Sequence, residues 1–169
     1  MDRGSLLHIG CGSETLPSWL SEYKETRLDI DEACKPDIVA SMLDLGDIGE
    51  FDVVFCQHAL EHLYPHEVPL AIKEFLRVLK TGGYALVFVP DLEDVKPTDE
   101  VIVVAPSGPI TGLDMYYGYA KALREGNLYM AHKCGFVSQT LNDVFVKEGF
   151  TKVETKRLKP YNLMAVAIK

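Results

Sequence analysis

The chain has 169 residues, 47% of them hydrophobic, and a formal charge of −8. That length fits one domain with a full core over residues 1–169, and the apolar content excludes a disordered chain. The acidic balance gives no support to nucleic-acid binding, which needs a basic face for phosphates; the one cationic run, Lys152, Lys156, Arg157 and Lys159, is interleaved with Val153 and Leu158 and reads as the solvated side of a strand.

Short apolar runs alternate with helical periodicity, the pattern of an α/β fold. Residues 6–10 read as a first strand, apolar apart from His8, and residues 16–23 as the helix after it. Residues 26–30 form a second strand, 37–40 a short third, and 51–56 a fourth that ends at Gln57. The clearest helix covers residues 66–80, where Val68, Ile72, Phe75, Leu76 and Leu79 share one face. Lys80 suits the negative end of its dipole, and Gly82 and Gly83 are expected to stop it. A buried strand over residues 84–89 follows, completing a parallel crossover unit. Residues 91–113, punctuated by Pro97, Pro106, Gly108, Pro109 and Gly112, read as a long loop, a lid. Residues 114–124 make a short helix. Ser138 is the expected N-cap of a helix over residues 139–148, with Leu141, Val144 and Phe145 inward. Residues 152–158 and 163–168 alternate as a closing hairpin around Lys159-Pro160-Tyr161.

Cys11, Cys34, Cys56 and Cys134 form no C-x-x-C pair and read as reduced, mostly core thiols of a reducing compartment. The first residues lack the basic stretch and long apolar core of a secretory leader, and the longest apolar runs are too short to span a membrane. A cytoplasmic protein without membrane association is expected.

The first strand runs into Gly10-Cys11-Gly12-Ser13, a tight turn whose glycines let a ligand approach backbone amides. A dinucleotide fingerprint would place a third glycine at position 15, where Thr15 stands, which counts against a nicotinamide cofactor. Asp29 lies about 20 residues further on, at the end of the second strand, where an acid can accept both hydroxyls of a ribose. Asp31 falls on the same side, beyond the strand end, and competes for that role. On these features alone an ordinary strand-to-helix turn stays open for the glycine pair.

In His8-Ile9-Gly10-Cys11-Gly12, Leu28-Asp29-Ile30-Asp31, Phe51-Asp52-Val53-Val54, His58-Ala59-Leu60-Glu61-His62 and Arg77-Val78-Leu79-Lys80-Thr81-Gly82-Gly83 the chain resembles the class I S-adenosylmethionine (SAM)-dependent methyltransferases. It is closest to a compact bacterial group, which residues 108–110, 113–115, 130–132, 135 and 136 also resemble. The resemblance implies a Rossmann-like, doubly wound α/β fold: a mostly parallel seven-stranded sheet, helices on both faces, and an antiparallel C-terminal hairpin. It implies SAM as cofactor, with Gly10, Cys11 and Gly12 around the methionine end, Asp29 on the ribose and Ile30 against the adenine. Ser41 and Met42 would lie near the adenine, Gln57 and His58 near the methionine end. Two positions depart from the family: His8 replaces an acid common in the first motif, and Ser41 an aspartate. The latter leaves adenine recognition to backbone groups or to Asp44.

With the first ninety residues occupied by the cofactor motifs, residues 91–136 are expected to wall the acceptor pocket. Asp114, Tyr116, Tyr117 and Tyr119 suit an organic acceptor, and His132, titrating near neutrality, is the candidate general base; packing roles for them remain open. His58, His62 and His66 share a helical spacing, but Pro65 interrupts it and no metal is expected. Glu61-His62 reads as a helix-start and packing feature. The expected function is methyl transfer from SAM to a small molecule. A non-catalytic SAM-binding or interaction protein is the alternative, and a nicotinamide oxidoreductase comes third.

Overall fold

The computed structural model describes residues 4–169. In chain order it contains β1 (Ser5–Ile9), β2 (Lys24–Asp29), β3 (Ile38–Val39), β4 (Phe51–Gln57), α1 (Val68–Val78), β5 (Leu79–Pro90), β6 (Val101–Ala105), β7 (Gly108–Thr111), α2 (Gly112–Tyr117), α3 (Ala120–Arg124), α4 (Ser138–Lys147), β8 (Lys152–Leu158) and β9 (Asn162–Ile168). Seven strands form one sheet in the order β3-β2-β1-β4-β5-β9-β8. The β1–β2, β2–β3, β1–β4 and β4–β5 pairs are parallel, and β9 runs antiparallel to both β5 and β8. The strand order reverses between β1 and β4, so a ligand crevice opens beyond their carboxyl ends. This is the mostly parallel sheet with a C-terminal antiparallel hairpin expected from the sequence.

Burial explains the sequence pattern of each strand. In β1, Leu6, Leu7, His8 and Ile9 are all buried, as a central parallel strand covered on both faces requires. In β9 only Leu163, Ala165 and Ala167 are fully buried, and the residues between them are partly exposed. On one face Leu7, Ile9, Val54, Cys56, Ala85 and Val87 pack against Ile72 and Phe75 of α1 and Leu141 and Phe145 of α4. On the other, Leu6, Val53, Phe55 and Leu86 pack around Leu20.

That second face departs from expectation. Residues 16–23 form a single 3₁₀ turn, Ser18–Leu20, instead of a helix. The Ser21 hydroxyl donates to the Ser18 carbonyl at 2.7 Å, alongside the Ser21 amide at 3.2 Å, and this local bonding competes with helix propagation. Leu20 plugs the face while Trp19 stays exposed. Among the described residues, the α-helices of the main core lie on one face rather than both.

Four further boundaries move. The helix expected over residues 66–80 ends at Val78, because Leu79 turns extended, is fully buried and pairs with Phe51. Gly82 and Gly83 lie in the irregularity before Tyr84 rejoins Val53, where a Cβ on Gly83 would come within 2.8 Å of the Asp52 carbonyl. The loop expected over residues 91–113 contains the β6–β7 hairpin, since β-branched residues at 101–104 and 110–111 outweigh the prolines on a two-stranded ribbon. The helix over residues 114–124 is split into α2 and α3 at Gly118, where φ is +95°. A reciprocal cap starts α2: the Asp114 amide donates to Thr111 Oγ1 at 3.1 Å, and the Thr111 amide donates to Asp114 Oδ2 at 2.8 Å. Finally, Ser138 is not the cap of α4 but its first residue, and its hydroxyl pairs with Thr155 of β8 at 2.7 Å.

His8 carries a pH signature. It is 2% exposed, its Nδ1 lies 2.7 Å from Glu25 Oε1, and its ring stands 5.0 Å from that of Phe55. Burial lowers its pKa; Glu25 and Asp29 oppose this and Arg27 adds to it. A histidine with a depressed folded pKa contributes stability that is full above its unfolded pKa of about 6.5 and falls as pH drops below it. Urea denaturation from pH 7.5 to pH 5.5 should therefore show the wild type losing more stability than His8→Gln. Parallel curves for the two proteins would contradict a neutral His8.

Candidate cofactor and acceptor site

The end of β2 braces the glycine turn. The amides of Gly10 and Cys11 both donate to the Leu28 carbonyl, at 2.9 and 3.2 Å. Arg27 donates to the carbonyls of Gly12 and Glu14 at 2.8 and 2.6 Å. Asp29 Oδ2 accepts the Gly12 amide at 2.7 Å, and Oδ1 accepts the Asp31 amide at 2.9 Å. Each Asp29 oxygen keeps a further lone pair for a ligand hydroxyl. Asp31 is used differently: its Oδ1 accepts the Ala33 amide at 2.9 Å and starts the 3₁₀ turn Glu32–Cys34. Of the two competing acids, Asp31 therefore belongs to a turn, while Asp29 joins the glycine turn to the strand end.

The two glycines serve different ends. Gly10, at φ +65°, lies so close to Ala59 that a Cβ would collide with the Ala59 Cβ. Gly12, at φ +48°, has nothing within 4 Å of the place where its Cβ would be. Gly10 thus lets the turn pack against the segment after β4, and the absent side chain of Gly12 leaves open space beside the turn. Cys11 between them is 1% exposed, and its amide and carbonyl are bonded to Leu28 and Glu14. Burial pushes its thiol pKa up.

The other expected cofactor residues fall around this turn. Ile30 follows β2 and is 53% exposed. The Ala40 amide donates to the Asp29 carbonyl at 3.1 Å, which places Ser41 and Met42 beside the β2 end. Ser41 Oγ accepts the Leu43 amide at 3.2 Å, and Met42 packs on the core margin. Gln57 is exposed at the end of β4. His58 follows at φ +49°, with its amide on the Phe88 carbonyl at 2.9 Å.

Next to His58 stands a group that sequence reading did not assemble. The 3₁₀ turn Leu60–His62 buries Glu61 to 1% exposure. Glu61 Oε1 lies 3.5 Å from His58 Nδ1 and 4.0 Å from His132 Nε2, while the buried Oε2 has no hydrogen-bond partner among the described residues. His132 Nδ1 pairs with the Met115 carbonyl at 2.9 Å, His62 Nδ1 with the Ala131 carbonyl at 3.0 Å, and the two rings are 5.1 Å apart. Burial opposes the Glu61 charge, yet His58, with His62 and His132, holds its carboxyl below the usual range. Burial lowers the His132 pKa. Burial would lower that of His58 as well, but Glu61 raises it overall. His66, expected to share a face with His58 and His62, instead stacks on Tyr64. The signal available in sequence was the run His58-Ala59-Leu60-Glu61-His62; nothing local joins it to His132.

Most of the polar residues expected to meet an acceptor bond within residues 95–120 instead. Asp114 accepts amides from Thr111 and Ala120, each at 2.8 Å. The hydroxyls of Tyr116 and Tyr119 donate to the carbonyls of Val95 and Ser107 at 2.7 and 2.9 Å. Arg157, from the cationic run, is paired with Asp91, Asp94 and Glu93.

Residues 7–87 match the family model described as a methyltransferase domain. No curated protein matches the chain. A S-adenosylmethionine-dependent methyltransferase from Mesorhizobium loti superposes with a TM-score of 0.69 at 16% identity, over 99% of this chain and 91% of that one. The 1,6-didemethyltoxoflavin-N1-methyltransferase of Burkholderia thailandensis, solved with its namesake compound and S-adenosylhomocysteine (SAH), gives 0.66 at 14% identity over 98% and 71%. PigF, solved with SAH, gives 0.63 at 17% identity over 98% of this chain, which spans only 50% of the PigF chain. At such identities the superpositions establish the fold, and the matched segment holds the glycine turn, Asp29, His58, Glu61 and His62, with His132 outside it. Residues 7–87, just under half of the chain, thus resemble a methyltransferase domain, and the seven-stranded sheet shares the fold of the solved SAM-dependent methyltransferases.

Proposed function

We propose that the protein transfers the methyl group of SAM to a small-molecule acceptor. The observation that carries this reading is the Gly10–Gly12 turn, open at Gly12 and tied to Asp29, at the point where strand order reverses. SAM brings a methyl group on an electrophilic sulfonium, open to in-line attack by a nucleophilic acceptor. In this reading the methionine end lies against the Gly10-Cys11-Gly12 turn, in the space that Gly12 leaves open, with Gln57 and His58 beside it. Asp29 accepts the ribose hydroxyls with its spare lone pairs, and Ile30, Ser41 and Met42 border the adenine. Residues 91–136 wall the acceptor side, where the partly buried His132 faces Glu61, which in turn faces His58. Holding donor and acceptor in line supplies about 7–11 kcal/mol of the barrier reduction.

A small acceptor fits the net charge of −8 and the pairing of Arg157 with carboxylates, both poor for phosphate contacts. The structurally similar 1,6-didemethyltoxoflavin-N1-methyltransferase, solved with 1,6-didemethyltoxoflavin bound, points the same way. No helix among the described residues is long and apolar enough to cross a membrane, and the four cysteines are unpaired. A reducing, cytoplasmic setting accounts for both.

SAM and SAH should each raise the melting temperature, by a stabilisation of about 2.7 kcal/mol at a hundredfold excess over the dissociation constant, and NAD should not. A shift with NAD and none with millimolar SAM would overturn the reading. Asp29→Ala should weaken SAH binding by about 1–3 kcal/mol through unmet polar groups. Asp31→Ala should leave that affinity close to wild type. The reverse pattern in calorimetric titrations would show Asp31 to be the ribose ligand.

A further inference from the structure

We propose that Glu61, His62 and His132 bind a divalent transition-metal ion. One donor atom from each of the three lies within 4.8 Å of the other two. Ligands of a single ion at about 2.0–2.2 Å stand roughly 3–3.5 Å apart, so a small closure of these side chains completes the site.

Both imidazoles are set up as ligands. Each is fixed through Nδ1 by a backbone carbonyl, Ala131 for His62 and Met115 for His132. A carbonyl only accepts, so Nδ1 carries the proton and Nε2 keeps its lone pair. This is the outer arrangement that orients metal-bound histidines. The carboxylate supplies an independent observation: Glu61 is 1% exposed and its Oε2 has no partner among the described residues. Buried carboxylate oxygens are rarely left unmet, and a cation would satisfy this one. The two ligand-bearing segments are also tied together, since the amides of Lys133 and Cys134 donate to the Glu61 carbonyl at 2.9 and 3.3 Å. Cys134 is turned away from a ligand role, with Sγ on the carbonyls of Leu60 and Glu61.

Two imidazoles and one carboxylate suit zinc, iron(II), manganese or cobalt better than the all-oxygen demands of calcium or magnesium. Three protein ligands leave open positions. For its role, though not for the binding itself, the inference rests on the methyltransferase reading. It points to a hydroxyl acceptor coordinated at an open position. That hydroxyl releases its proton to solvent water more readily when bound to the ion. An oxygen lone pair then forms the C–O bond as the C–S bond breaks, its electron pair staying on sulfur to give SAH. His132 would act here as a ligand rather than as the general base expected from sequence.

The test is titration of the EDTA-stripped, full-length protein with Co2+, followed by visible absorption, and with Zn2+, followed by calorimetry, both without SAM. One site per chain is expected, with d–d bands of a nitrogen- and oxygen-ligated Co2+. Glu61→Gln and His132→Ala should each weaken Co2+ binding by more than about 100-fold, beyond the 10–100-fold typical of a lost outer partner. His66→Ala, outside the group, should bind as wild type. Circular dichroism and urea midpoints identify any variant that fails to fold, and His62→Gln then replaces it. No Co2+ or Zn2+ binding by the wild type, or unchanged binding in folded Glu61→Gln and His132→Ala, would overturn the proposal. SAH titration of the same stripped protein separates this failure from failure of the methyltransferase reading.

Discussion

Gly10→Ala is expected to destabilise the protein by about 2–5 kcal/mol and to abolish measurable SAM binding. A non-glycine residue in the left-handed region costs about 1–2 kcal/mol, and overfilling a packed site adds about 1–3 kcal/mol. Both contributions apply at Gly10, at φ +65° with its missing Cβ against Ala59. Ala59 is 6% exposed and precedes the Leu60–His62 turn, so it has little room to retreat. Moving it would shift both the glycine turn proposed to meet the cofactor and the segment that carries Glu61. Gly12→Ala is the informative comparison. Its φ of +48° imposes similar backbone strain, but its Cβ would enter open space. It should cost only the backbone contribution in urea denaturation while still obstructing the crevice in SAH titration. Equal losses of stability in the two variants would contradict the packing of Gly10 on Ala59.

Gly118→Ala is expected to cost about 2–4 kcal/mol, concentrated in residues 112–134. Gly118 has φ +95° and ψ 162°, a region open essentially to glycine alone, where other residues are strained by about 1–3 kcal/mol. Its Cβ would also strike the Met130 carbonyl oxygen and come within 3.0 Å of the His132 amide. That amide donates to the Tyr117 carbonyl at 3.2 Å, so the collision falls on the contact that sets His132 beside Glu61. The affected segment follows β6 and β7, which form their own two-stranded sheet apart from the main one. Hydrogen exchange should therefore lose protection across residues 112–134 while β1, β4 and β5 stay protected, as independent opening units do. Uniform loss across the main sheet would show that residues 112–134 and the core unfold as one.

The central sheet was legible because its strands are short apolar runs whose burial on both faces leaves little choice, as in β1 and β4. The positions of the glycine turn and Asp29 at the ends of β1 and β2 were legible because the apolar runs before them are clear. The choice between Asp29 and Asp31 was not, since it depends on the Glu32–Cys34 turn that takes up Asp31. Residues 16–23 misled because Leu16, Trp19, Leu20 and Tyr23 have helical spacing, yet only Leu20 is fully buried and Ser21 closes the turn locally. Pro and Gly concealed the β6–β7 hairpin because punctuation outweighed β-branching in the reading. The Glu61 group was out of reach for another reason. His132 meets Glu61 and His62 through bonds from Ala131, Lys133 and Cys134 that no local pattern encodes.

A crystal structure of the SAH complex tests the cofactor site most directly. It should place the ribose hydroxyls on Asp29, the adenine beside Ile30, and the thioether sulfur over the Gly10–Gly12 turn on the side of His58. SAH bound with its ribose away from Asp29, or held anywhere other than the crevice beyond β1, β2 and β4, would contradict the account.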